Sequence, residues 1–251
     1  MADMCRAAIE KGIPEIGFSD HYDLIPEDPC YGFFRADAWW KGLEHCRKEF
    51  SGALHIRAGI EIGEPHRFPE TVANLAANHD WDFVMGSSHW VGDTLIFDPD
   101  YYKRSKHEAY ADYYQELIHL VQQNSINILA HIDIIKRYGF DYYGTYDPEA
   151  HEAELRTILR ICAEREIALE INTSTLRRSI MEPSPTHKIL SWFREEGGKW
   201  VTLGSDAHEP DQVGFGLEKA MKAVSIAGFK SLARYVRRIP RPIALPVGNN
   251  N

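Results

Sequence analysis

The chain has 251 residues, of which 44% are hydrophobic, 26% charged and 12% aromatic. This composition is typical of globular proteins and excludes collagen, coiled coils and extensive disorder. The formal net charge of −9 favours neither nucleic acid nor an anionic membrane as a partner, and we expect neither. No apolar run approaches the roughly 18 residues that a membrane span needs.

The four cysteines are scattered without a C-x-x-C pair, so neither a disulfide framework nor a zinc finger is indicated. The first residues, M-A-D-M-C-R, lack the basic and apolar segments of a secretory signal. We therefore expect a cytoplasmic protein with reduced thiols. The length fits a single domain over residues 1–251, and the sequence does not indicate an oligomeric state.

Short apolar runs alternate with segments of helical periodicity, beginning with a helix that ends near Gly12. The predicted strands are residues 14–19, 55–62, 82–88, 127–131, 167–171 and 199–204. The later predicted helices are residues 105–124, 148–165, 185–196 and 210–227. Segments predicted as loops that select the substrate are 22–36, 90–104 and 138–147. This alternation predicts an α/β fold with a parallel sheet.

Histidines and carboxylates fall at the ends of five of the six predicted strands. They are His21, Glu61, His89, His131, Asp206 and His208. The carboxyl ends of parallel strands converge on one rim of a barrel, so these side chains should meet there. Imidazole with carboxylate oxygen is a donor set for zinc, iron or manganese. Asp20 and Asp133 could each orient the neighbouring imidazole or cap the next helix.

The fifth strand is followed by polar residues and then by Arg177 and Arg178. A guanidinium offers a planar fork of donors that suits an oxyanion such as phosphate. The alternative, that both arginines are solvated or paired with an acidic neighbour, is equally compatible with the sequence.

Together these segments resemble the polymerase-and-histidinol-phosphatase (PHP) phosphoesterases, in particular their histidinol-phosphatase branch. The motifs that carry the resemblance are S-D-H at Ser19–His21, G-I-E-I-G at Gly59–Gly63, G-S-S-H at Gly86–His89, A-H-I-D-I-I-K at Ala130–Lys136, E-I-N-T-S-x-L-R at Glu170–Arg177 and G-S-D-A-H at Gly204–His208. The resemblance implies a distorted, TIM-like (β/α)7 barrel. It also implies two or three divalent metal ions, Mn, Zn or Fe, at its carboxyl rim.

The resemblance assigns roles to the residues at the strand ends. Glu61 would bridge two metals, and His89 and His131 would complete one site. Asp206 would belong to the neighbouring site, and His21 and His208 to a third. Arg177 would hold the substrate phosphate. The catalytic residues would be Glu61, Asp206 and His208, with the acid for the leaving group left open between Asp206, His208 and a metal-bound water.

One segment of the family pattern is lacking, since family members open with a strand that ends in His-x-His. The chain starts instead with the helix, which predicts that the first strand is missing, most simply because Met1 is an internal methionine. The expected activity is metal-dependent hydrolysis of L-histidinol phosphate, a small-molecule phosphate ester. The alternatives are hydrolysis of a nucleotide or sugar phosphate, and a truncated, non-catalytic barrel that binds a phosphorylated metabolite or a partner protein.

Overall fold

The computed structural model describes residues 1–122 and 126–245, which form eight α-helices and ten strands. The helices are α1 (Ala2–Glu10), α2 (Ala36–Glu49), α3 (Pro69–Asn78), α4 (Lys106–Val121), α5 (Ile135–Tyr143), α6 (Glu152–Glu164), α7 (His187–Glu195) and α8 (Leu217–Ile226). The strands are β1 (Glu15–Tyr22), β2 (His55–Gly63), β3 (Phe83–Ser87), β4 (Trp90–Val91), β5 (Thr94–Leu95), β6 (Ile128–Leu129), β7 (Ala168–Asn172), β8 (Val201–Gly204), β9 (Ser231–Val236) and β10 (Ile239–Ala244).

Six parallel strands form one curled sheet in the order β1-β2-β3-β6-β7-β8. Each of the six predicted strands overlaps one of them, so the α/β prediction is confirmed. The curl brings the carboxyl ends of the two edge strands together, since the rings of His21 and His208 lie with centroids 6.2 Å apart. The sheet is therefore a half-barrel of the expected TIM-like kind, with a shared rim.

The inner face of the half-barrel alternates between small and large side chains. Phe83 fills the lower part of this face, because Gly17 and Gly59 on the neighbouring strands leave room for its ring. A Cβ at Gly59 would lie 2.1 Å from that ring. Since side chains of a strand alternate between faces, the residues that point inward above this layer on β1 and β2 are His21 and Glu61.

The outer face of the sheet is covered by helices that carry the main hydrophobic core. Tyr113 and Leu117 of α4 and Leu155 and Leu159 of α6 are fully buried in this layer. Their spacing of four residues places each pair on one side of its helix. No helix of the described ranges is long and apolar enough to cross a membrane.

The antiparallel hairpin β9–β10 closes the amino-terminal end of the half-barrel. Tyr235 is buried in a cluster with inner-face residues of β3, β6 and β7, and its hydroxyl donates to the carbonyl of Asn127 at 3.0 Å. The backbone N–H groups of Arg237 and Arg238 donate to the side chain and carbonyl of Asp82. The hairpin therefore packs against the amino-terminal end of the sheet.

Two of the predicted loops are wrong in part. Segment 138–147 was expected to be a loop, but residues up to Tyr143 belong to α5. Gly139 lies inside that helix. A Cβ at this position would be 2.6 Å from the hydroxyl of Tyr110, so the glycine allows the helix to pack closely against Tyr110. Segment 90–104 contains the short hairpin β4–β5. Helices α2 and α3 were not predicted, and residues 123 and 124 of predicted helix 105–124 lie outside the described residues.

Candidate metal centre

Neighbouring strands bring the first site residues into register. His21 on β1 is paired with Glu61 on β2, and Glu61 is paired with Met85 on β3. His89 follows β3 and His131 follows β6, the next strand of the sheet. Four of the predicted ligands therefore lie side by side at the carboxyl rim.

Glu61, His89 and His131 form a buried cluster. The Nε2 atoms of His131 and His89 lie 3.1 and 3.7 Å from Oε1 of Glu61. One possible ligand atom from each of the three residues lies within 4.8 Å of the others. Two imidazoles and a carboxylate that converge in this way suit a divalent transition metal, with coordination positions left for water or substrate.

Ion pairing holds this cluster together in the metal-free protein. Burial opposes ionisation of Glu61, but the adjacent histidines His21, His131 and His89 outweigh it and lower its pKa to about 2. Burial likewise disfavours the charged form of His131, yet the hydrogen bond and charge of Glu61 raise its pKa to about 9. The charge of Glu61 raises the pKa of His21 to about 10. A metal that binds here must displace protons from imidazolium groups.

Two buried glutamates that were not assigned as site residues hold the histidine backbones in place. Glu64 accepts hydrogen bonds from the N–H groups of His89 and Trp90, and it adopts a positive φ of 46° to do so. Glu170 accepts the N–H of His131 at 3.1 Å. Burial, together with neighbouring carboxylates, raises the pKa of Glu170 to about 7. Both glutamates act on backbone N–H groups of residues distant in sequence, and membership of a motif, as for Glu170, does not indicate such a role.

Asp23 was also missed, although it is almost fully buried between two of the ligands. Its carboxylate lies 3.5 Å from Nδ1 of His21 and 3.8 Å from Nδ1 of His89. The signal that could have identified it is the alternation of a strand, because Asp23 follows His21 by two positions and so faces the same side.

Asp206 and His208 form a second, more exposed pair beyond β8. Nε2 of His208 lies 3.2 Å from Oδ1 of Asp206. Burial opposes ionisation of Asp206, but the hydrogen bond from His208 and the charge of His131 lower its pKa well below the usual range. Asp206 has a positive φ of 46°, a conformation tolerated by aspartate and found at functional sites.

The guanidinium of Arg177 supports this strained turn. It donates to the carbonyl oxygens of Ser205 and Asp206, each at 2.8 Å. Neither alternative from the sequence, solvation or an acidic partner, describes these contacts. Arg177 also lines a cleft of about 540 Å³, whose other lining residues include Phe97, Arg137, Tyr138, Tyr142 and Arg178. The local positive charge that an anionic substrate needs is thus present.

The two alternatives offered for Asp20 and Asp133 are both wrong. The carboxylate of Asp20 accepts a hydrogen bond from the indole of Trp39. The carboxylate of Asp133 accepts from Nζ of Lys136 at 2.9 Å and from Ser184 and Thr186. No imidazole of the described residues donates a hydrogen bond to either carboxylate, and the observed bonds hold the surrounding elements in place.

Comparison with known proteins agrees with this geometry. Residues 1–174 match the model of the PHP domain. The chain belongs to the PHP domain family. The histidinol-phosphatase of Lactococcus lactis is 30% identical to this chain over 91% of this chain and 85% of the relative. The probable histidinol-phosphatase of Clostridium acetobutylicum is 32% identical over 84% of this chain and 82% of the relative.

A solved structure shares the whole architecture of this PHP protein. It is the crystal structure of histidinol phosphate phosphatase from Lactococcus lactis in complex with zinc, L-histidinol and phosphate. It superimposes with a TM-score of 0.82 at 26% identity and covers 95% of this chain and 91% of that one. The similarity and the converging histidines and carboxylates support divalent metal binding by the site described above.

Proposed function

We propose that the chain hydrolyses L-histidinol phosphate to L-histidinol and inorganic phosphate with the help of bound divalent metal ions. The observation that carries the proposal is the buried cluster of Glu61, His89 and His131 beside an arginine-lined cleft. Phe97, which lines the cleft, lies with its ring centroid 5.2 Å from that of His89. The related zinc-bound enzyme, whose structure contains L-histidinol and phosphate, supports the choice of substrate.

The side chains divide between metal binding and phosphate binding. Glu61, His89 and His131 would hold one ion, with Glu61 shared by a second ion near Asp206. His21 and His208 would bind a third. We propose two or three ions in total, chosen from zinc, manganese and iron. When bound, such ions lower the pKa of water and neutralise charge on phosphoryl oxygens.

Arg177 would bind the phosphate directly. Arg177 has its guanidinium fixed by two backbone carbonyls, so it can present its remaining donors to an oxyanion without losing side-chain freedom on binding. Arg137 and Arg178 add positive charge to the same cleft. Asp206 and His208 complete the catalytic set with Glu61, and the exposure of His208 leaves it within reach of substrate.

The test is a comparison of substrates with the purified chain. Phosphate release is measured with zinc, manganese or iron(II) on L-histidinol phosphate, a nucleoside monophosphate and a sugar phosphate. We expect L-histidinol phosphate to have the highest kcat/KM and chelation to abolish turnover. A higher kcat/KM on another ester would contradict L-histidinol phosphate as the substrate and assign that ester class instead. Binding without turnover on every ester and with every metal would leave a non-catalytic phosphate-binding barrel.

A further inference from the structure

The carboxylate of Asp23 lies against Gly63 at the end of β2. The pairing of β1 with β2 ends at Tyr22 and Ile62, so Asp23 follows at the level of Gly63. A Cβ on Gly63 would lie only 2.5 Å from Oδ1 of Asp23. The carboxylate therefore fills space that any other residue at position 63 would take.

The carboxylate is buried and incompletely satisfied. Asp23 is 4% exposed, and Oδ1 accepts no hydrogen bond from any residue that the structure describes. The imidazole Nδ1 atoms of His21 and His89 lie 3.5 Å from Oδ2 and 3.8 Å from Oδ1. Since an N–H···O hydrogen bond is about 2.9 Å long, small ring rotations would give each oxygen a donor. An unpaired buried carboxylate oxygen is costly, so such rotations are favoured.

We propose that Asp23 is a positioning residue that accepts the Nδ1–H groups of both His21 and His89. A neutral imidazole that carries its proton on Nδ1 has its lone pair on Nε2. One carboxylate would then fix the tautomer and the ring orientation of two metal ligands from two different strands. This inference rests on the proposed metal-dependent hydrolysis.

The two ring nitrogens of His89 already have the required arrangement. Its Nδ1 faces Asp23, while its Nε2 faces Glu61 at 3.7 Å. The rings of His21 and His89 have centroids 5.6 Å apart, so one carboxylate can serve both. By contrast, the buried Nδ1 of His131 has no hydrogen-bond partner among the described residues. Asp23 thus favours metal binding by His21 on β1 and by His89 after β3.

The first measurement is zinc affinity, by competition with a chromophoric chelator and without substrate. We expect Asp23→Asn and Asp23→Ala to weaken zinc binding by about 10- to 100-fold, as removal of a carboxylate behind a ligating histidine does elsewhere. Gly63→Ala, which displaces the carboxylate and retains it chemically, should weaken binding in the same direction. The matched control is Asp20→Asn, three positions earlier and within β1, which should stay within about threefold of wild type.

The second measurement is the tautomeric state of the histidines, from long-range 1H–15N NMR spectra of the zinc-loaded protein. We expect the Nδ1–H form at His21 and His89 in wild type, with the signals perturbed in Asp23→Asn. If Asp23→Ala does not fold, Asp23→Asn and Gly63→Ala still decide the question.

The outcomes separate the two proposals. A wild-type chain that binds zinc and releases phosphate, with unchanged zinc affinity and histidine tautomers in Asp23→Asn and Gly63→Ala, would overturn the role of Asp23 alone. A protonated Nε2 on either ring in the zinc-loaded protein would overturn it as well. A wild-type chain that binds no zinc would remove the metal-dependent function and this inference with it.

Discussion

The two halves of the site differ in how the chain builds them. Glu61 lies on β2, and His89 and His131 follow β3 and β6, adjacent strands inside the sheet. All three residues are at most 8% exposed. Asp206 and His208 follow the edge strand β8, and the side chain of His208 is 69% exposed. Strand register, close packing and hydrogen bonds to Glu64 and Glu170 position the first group, although His131 also has a positive φ of 20°. An exposed turn held by Arg177 positions the second group.

The difference implies a division of labour. The buried half is arranged before any metal arrives, because its backbones are fixed by the sheet and by Glu64 and Glu170. The exposed half depends on Arg177 and the positive φ of Asp206, which other conformations could relieve. Metal affinity should therefore be set mainly by the buried half, and turnover should depend on both.

Glu61→Gln tests the role of the buried half and should have the largest effect. The amide cannot supply a bridging carboxylate charge, so we expect zinc binding at the buried half to be lost and kcat/KM to fall by about 10³-fold or more, since a metal stabilises charge by several kcal/mol. The measurements are zinc stoichiometry and phosphate release. Glu116→Gln is the matched control, since Glu116 also pairs with a histidine, His66 at 2.8 Å, away from the site. Equal losses in both variants would contradict the assignment.

The exposed half is tested by His208→Gln. We expect kcat to fall by about 10²-fold, as loss of a side chain that acts at the reacting groups does. Zinc affinity of the buried half should stay within about threefold, because the hydrogen bond of the His208 ring is to Asp206. Steady-state kinetics and chelator competition measure the two quantities separately. His119→Gln, at an exposed helical position, is the control. Loss of all zinc in His208→Gln would show that the two halves are not separable.

The sequence allowed prediction of the parts of the fold that depend on local pattern. Each of the six parallel strands is a short apolar run, and the histidines and carboxylates at the strand ends are motif residues. Their convergence follows from parallel topology alone, which is why His21, Glu61, His89 and His131 could be expected to lie together. Chain order and strand periodicity were sufficient for that expectation.

What could not be predicted depends on contacts distant in sequence. The role of Gly139 as a packing position in α5 depends on Tyr110, which lies 29 residues earlier. Glu64 and Glu170 act through backbone N–H groups of other strands. Asp23 follows β1, and its role depends on Gly63 and His89, which lie 40 and 66 residues later in the sequence.

The pH dependence of zinc binding tests the protonation of the histidines near Glu61. His131 and His21 have pKa values raised to about 9 and about 10, so both are protonated at neutral pH in the metal-free protein. We expect the zinc association constant to rise by about tenfold per pH unit for each proton displaced. Calorimetric titration in buffers of different ionisation enthalpy counts those protons. Zinc binding without proton release at pH 7 would contradict the imidazolium–carboxylate arrangement.

The same shifts predict a stability window for the metal-free protein. The raised pKa of His131 contributes stability that is fully present below its usual pKa of 6.5 and is lost as pH rises through about 9. The lowered pKa of Glu61 contributes stability that is present above 4.5 and is lost as pH falls through about 2. The stabilisation by this pair is therefore greatest between pH 4.5 and pH 6.5. Denaturant titrations of wild type and Glu61→Gln across pH measure it.

The smallest effect on the site is expected from the opposite end of the half-barrel. The buried carboxylate of Asp82 accepts hydrogen bonds from Arg47 and from the N–H groups of Ala58 and Arg237, so it joins β2 and α2 to the closing hairpin. Asp82→Ala leaves buried donors unpaired, and we expect the free energy of unfolding to fall by about 2–4 kcal/mol.

Zinc affinity of folded Asp82→Ala should nevertheless equal that of wild type, because the ligands are fixed at the carboxyl ends of the strands and Asp82 acts at their amino ends. Denaturant titration and chelator competition give the two results, with Asp93→Ala in the exposed β4–β5 turn as the control. A parallel loss of zinc affinity would mean that hairpin closure sets the curl of the sheet, and that the buried half of the site depends on the curl as well as on register.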